Sequence, residues 1–122
     1  MENEGLEGEK SFEDQIESDR VRMNAEYPSL KEYTDTTLDI VLLRHKALSI
    51  KHKIEPLVTA ENIDIHQEHE IKIAKDSIRS ISNSSSYLRR IRDEKYSTLL
   101  DSVDYEILEK YTHELKLITS KI

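Results

Sequence analysis

The sequence predicts an all-α protein: elongated amphipathic helices in coiled-coil or open-bundle packing, behind a disordered acidic N-terminal tail. Three observations carry this prediction. Two Gly and two Pro serve all 122 residues, too few for the tight turns of a β fold. Apolar residues make up only 36 % and recur in stripes at three- and four-residue spacing, the period of a helix face. With no Trp and a single Phe, the chain lacks the large side chains that fill a globular centre. Long helices that need neighbours fit this composition better than a self-contained core.

The formal charge of −7 is unevenly placed. Residues 1–19 hold eight acidic residues against Lys10 alone, and the remainder is neutral overall, with 17 acidic and 17 basic residues. Residues 1–10 have too little apolar surface to offset the entropy of ordering and are expected to be disordered.

The first helix is expected over about 11–27, with Ser11 as its cap and Asp14 three positions on. Its apolar positions, Phe12, Ile16, Val21, Met23 and Ala25, form a thin pattern. It is therefore marginal by itself and is expected to need a partner for order. Both prolines mark expected boundaries, at Tyr27-Pro28 and Glu55-Pro56, because the residue before a proline is pushed out of the α region.

Between them lies a helix of about 29–54. Ser29 and Glu32 have the spacing of a capping box directly after Pro28. Tyr33, Thr36, Ile40, Leu43, Ala47, Ile50 and Ile54 then follow at alternating steps of three and four, a heptad seam. Leu30, Leu38, Val41 and Leu48 widen the face beyond what a two-stranded coiled coil needs, which points to a bundle.

The third helix is expected over about 61–98, starting near 60–64, along Ile71, Ala74, Ile78, Ile81, Ser85 and Leu88. Ser82-Asn83-Ser84-Ser85-Ser86 leaves two readings, one long helix or two helices broken there, and the seam through Ser85 favours the first. The last helix, about 101–120, carries the stripe Leu100, Val103, Ile107, Tyr111, Leu115, Ile118 and Ile122, with Asp101 or Ser102 as cap. The region 28–122 is thus one helical coiled-coil or bundle unit.

No residue set points to catalysis. Without Cys there is no thiolate nucleophile, disulfide scaffold, Cys-type zinc site or prenyl and palmitoyl anchor, and so little Gly leaves no phosphate-cradling loop. His66, His69 and Glu70 share a helix face, but their spacing is not that of a known metal motif and reads as a solvated helix start. His45 and His52, seven apart among Arg44, Lys46, Lys51 and Lys53, read as a basic face. The serine run beside Arg89 and Arg90 has the form of a phosphorylation-regulated segment or of a plain linker. No apolar run is long enough to cross a membrane, and the acidic start argues against a secretory or mitochondrial leader. The chain is expected to work inside the cell, in nucleus or cytoplasm, without cofactor, metal, small-molecule substrate or membrane insertion.

The expected role is that of a non-catalytic structural subunit or adaptor, assembling with other helical protein subunits in a larger intracellular complex. Small subunits of kinetochore, chromatin-remodelling and vesicle-tethering complexes have this compositional character. The residues expected to bind partners are Tyr33, Ile40, Leu43, Ala47, Ile50 and Ile54 on the second helix and Ile71, Ile78, Ile81 and Leu88 on the third. Val103, Ile107, Tyr111, Leu115 and Ile118 complete the set on the fourth. Two alternatives stand beside this one. Basic bands at 44–53 and 72–95 suit a nucleic-acid-associated helical protein, and the same stripes suit a self-assembling homo-oligomeric bundle.

Overall fold

A computed structural model describes residues 11–120; residues 1–10, where the disordered tail is expected, and 121–122 lie outside the described residues. The chain is all-α. Helix α1 spans Phe12–Glu26, α2 Lys31–Val58, α3 Ile65–Asp101 and α4 Tyr105–Thr119, with a short 3-10 turn at Pro28–Leu30 between α1 and α2.

Local chemistry explains the helix ends, and several differ from the sequence expectation. Ser11 caps α1 by accepting from the Asp14 amide at 3.1 Å. Neither the 3-10 turn nor the start of α2 has a side-chain cap, so the Ser29–Glu32 box does not form. Pro28 begins the 3-10 turn instead, and fully buried Leu30 is drawn into the N-cap position of α2. At its other end α2 continues through Pro56 to Val58. A proline in the last turn removes only one intrahelical bond. Thr59 closes the end, its amide and hydroxyl both donating to the Glu55 carbonyl at 3.2 and 3.1 Å.

Helix α3 starts at a reciprocal capping box, at the far end of the expected 60–64 start. The Gln67 amide donates to Asp64 Oδ1 and the Asp64 amide to Gln67 Oε1, both at 2.9 Å. The helix then runs unbroken through Ser82–Ser86 for 37 residues, about 55 Å at 1.5 Å per residue. Ser85 faces inward and is buried. Because α3 lasts to Asp101, that residue does not cap the next helix, and neither does Ser102, whose hydroxyl donates back to the Leu99 carbonyl. Asp104 takes the N-cap position of α4.

Consecutive helices run antiparallel. Phe12 of α1 stacks on His45 of α2, with centroids 4.1 Å apart, and Arg20 reaches Asp35 and Asp39. Helix α3 returns along α2, Lys95 standing 3.9 Å from Glu32 and Arg92 donating to Thr37. Helix α4 lies on α2 through a 2.7 Å hydrogen bond between Thr34 and Tyr111.

Two regions result. The head combines α1, the first half of α2, the end of α3 and α4 around Ile16, Met23, Tyr27, Leu30, Leu38, Val41, Tyr111, Leu115 and Ile118. The arm is the rest of α2 and α3, an antiparallel two-helix hairpin closed by residues 59–64. Helix α1 is therefore not an appendage awaiting a partner. Its Ile16 and Met23 are fully buried in the chain's own core. What the thin apolar pattern lacks, polar pairing supplies.

Candidate functional site

The structure divides the residues expected to bind partners. Ile40, Tyr111, Leu115 and Ile118 are buried inside the chain. The head covers most of the surface of these four, although Ile40 and Leu115 also lie at the base of a groove. Tyr33 and Val103 pack against the edge of the same core, and Ile107 is exposed. Leu43, Ala47, Ile50 and Ile54 of α2 and Ile71, Ile78, Ile81 and Leu88 of α3 are all only partly covered. The antiparallel pairing of α2 and α3 brings these two rows together along the hairpin. Buried Ala74 and Ser85 mark where small side chains allow the helices to approach closely.

Two polar clusters close the head. Tyr27 donates its hydroxyl to Glu114, which also accepts from Arg22 at 2.6 Å. Those two hydrogen bonds hold the Glu114 carboxyl below its ordinary range. Burial, reinforced by the bond to Glu114, pushes the Tyr27 phenol up to about 12. Asp35 accepts from Arg20 at 2.9 Å, Lys31 at 2.6 Å and Asn24 at 3.1 Å. Burial acts to raise the Asp35 pKa, but these donors outweigh it and leave it below the usual value. Tyr111 is raised by burial, sealed beneath the rings of Tyr27 and Tyr33. Sequence reading missed both clusters because their members come from different helices with no shared spacing.

The opposite side of α2 is open. There α3 and α4 stand apart with α2 between them, forming a groove of about 480 Å³. Tyr33, Ile40, Val41 and Leu115 give it an apolar floor, and Arg44, Arg89, Arg92 and Lys116 line its walls. Among the described residues no acidic side chain lines it. Arg92 is already engaged, by Thr37, by Asp93 at 3.2 Å and by the face of Tyr33. Among the described residues Arg44, Arg89 and Lys116 have no ion-pair partner, whereas Arg20 and Arg22 each have several.

No family model, curated protein or solved structure matches this chain. Its own geometry is therefore what bears on function. His66, His69 and Glu70 are exposed at the start of α3, and the described residues include no cluster of His, Asp or Glu suited to a metal ion. No described helix is long and apolar enough to cross a membrane. His45 stacks on Phe12 and lies 4.0 Å from Glu13, while His52 is exposed. Ser82, Ser85 and Ser86 line a shallow extension of the groove with Arg44 and Arg89.

Proposed function

We propose that this chain is a non-catalytic helical subunit or adaptor of a larger intracellular multiprotein complex, in nucleus or cytoplasm, and that it assembles through helix packing along the arm. One observation carries the reading. Beyond the head, α2 and α3 have only each other among the described residues, and two helices cannot enclose their own apolar stripes. Leu43, Ile50, Ile54, Ile71, Ile78 and Ile81 stay partly uncovered, and Leu48, Val58, Ile65 and Ile73 are exposed by 39, 51, 77 and 52 %. A neighbouring helix laid along this hairpin would bury them, as in a bundle assembled from several chains.

The nucleic-acid reading has less support. Within the band at 72–95, Arg79 pairs with Asp76, Arg92 with Asp93 and Lys95 with Glu32, so three of its cations are already engaged.

The test is recovery of the tagged chain from its own cells at about 0.5 M salt, which screens exposed charge, with the bound proteins identified by mass spectrometry. The wild-type chain should retain a fixed partner set. The Leu43→Asp/Ile50→Asp double variant should lose it, and so should Leu48→Asp/Ile73→Asp, which alters exposed positions and leaves the helical circular dichroism intact. A wild-type chain recovered alone, as monomer or homo-oligomer, would overturn the proposal. So would an unchanged partner set in both variants.

A further inference from the structure

We infer that the groove between α2, α3 and α4 is the docking site for an acidic amphipathic helix of a partner protein. The inference deepens the assembly reading and rests on it. Three features select this occupant.

The first is charge. Arg44, Arg89 and Lys116 come from three different helices, converge on one groove and meet no carboxylate among the described residues. Elsewhere in the head the chain pairs its arginines closely, Arg20 with Asp35 at 2.9 Å and with Asp39 at 2.8 Å. Two guanidinium groups suit carboxylates, which they grip through two parallel hydrogen bonds.

The second is the floor. Partly buried Tyr33 supplies most of the apolar surface beneath the cations, with Ile40 and Leu115 nearly covered below it, so the occupant needs an apolar contact as well as acidic flanks. A free anion or a uniformly acidic chain would leave that floor unused.

The third is direction. The groove runs along the helix axes. On α2 its lining runs from Tyr33 to Arg44, and Ala47 continues it beside Ile81 and Ser85. From Tyr33 to Ala47 is about 21 Å, the length of a helix of about 14 residues. An apolar floor with cationic walls at this length fits helix-in-groove recognition.

The probe is a synthetic helical peptide of about 14 residues with Leu on one stripe and Glu on its flanks, labelled for fluorescence anisotropy and titrated with the full chain. A control peptide carries Lys in place of every Glu. The acidic peptide should bind and the Lys peptide should not. Arg44→Glu/Arg89→Glu should weaken the acidic peptide by about tenfold or more and should gain binding of the Lys peptide. Both arginines are exposed, so this variant keeps its helical circular dichroism. Equal binding of the two peptides, or an unchanged affinity in the double variant, would overturn the inference. Displacement of the acidic peptide by duplex DNA in preference would do the same. Peptide binding that appears only after residues 1–10 are removed would assign the groove to the chain's own acidic segment and overturn it too. In the cell pull-down the two readings separate. With the pull-down repeated at about 0.15 M salt, where the groove's charges act, partners retained by the wild type and equally by the Arg44→Glu/Arg89→Glu chain defeat the groove alone. Partners absent from the wild type defeat the assembly reading.

Discussion

The head and the arm are built from the same two long helices and differ in what lies beside them. In the head, α1 and α4 flank α2, and Leu38, Val41, Tyr111 and Leu115 are enclosed. In the arm, the same heptad seam continues through Ala47, Ile50 and Ile54, yet none of these is fully covered. The electrostatics divide similarly. Arg20 and Arg22 of the head are tied to carboxylates on neighbouring helices, whereas Lys46, Lys51 and Lys53 of the arm form no ion pair among the described residues and stand exposed. A repeat that supplies a stripe does not decide whether the stripe becomes core or surface. The number of adjacent helices decides it.

The largest expected effect breaks the head. Tyr111→Ala removes a ring that is 1 % exposed, touches Tyr27 and Tyr33 and shares a hydrogen bond with Thr34. Truncating a buried aromatic costs about 3–5 kcal/mol. Ile78→Ala in the half-covered arm should cost about 1–2 kcal/mol, since less apolar area leaves water there on folding. Urea unfolding followed by circular dichroism measures both. Equal costs would mean that the two regions are packed alike.

The helical class and most helix positions were legible because the apolar spacing of α2, α3 and α4 is regular and the chain has almost no Gly or Pro. Helix α1 was misjudged for a physical reason. Its fully buried Ile16 and Met23 are joined by Arg20 reaching Asp35 and Asp39 and by Arg22 and Tyr27 reaching Glu114, contacts that span 15 to 92 positions. Sequence spacing cannot register such pairs. The start of α3 was legible in Asp64 and Gln67, three apart, had the box been sought with an acid as its cap. The cationic groove was hidden for a related reason. Arg44 and Arg89 belonged to separate charge bands and Lys116 to neither, and only the return of α3 and α4 along α2 brings them together.

A smaller effect concerns acidity. Glu114 is held below the ordinary carboxylate range by bonds from Tyr27 and Arg22, and Asp35 by donors that outweigh its burial. A carboxyl whose pKa is depressed by folding contributes stability that is present above its unfolded value and is lost as pH falls through its folded value. Stability should therefore decline from about pH 5 downward, with the head as its source. Glu114→Gln should lower stability at pH 7 by about 1.5–3 kcal/mol, the scale of a hydrogen bond to a charged group, and flatten the acid limb. Thermal unfolding between pH 7 and 3 checks this. An unchanged acid limb in the variant would place the acid sensitivity outside this cluster.

The smallest effect sharpens the comparison most, because α3 passes through both regions and serves as its own control. Ser84 is exposed in the interior of that helix, where serine is a poorer helix former than alanine. Ser84→Ala should stabilise by about 0.5 kcal/mol, close to the limit of a denaturant melt. Amide hydrogen exchange locates the gain as well as its size. If the arm opens while the head stays folded, amides over 68–81 exchange faster than those over 88–99 in the wild type. The substitution then slows the first set by about twofold, the factor that 0.5 kcal/mol corresponds to, and leaves the second unchanged. Equal protection along all of α3, shifted equally by the substitution, would show that the hairpin and the bundle unfold as one unit. The uncovered stripe of the arm would then be held as firmly as the core of the head, by two helices in place of four.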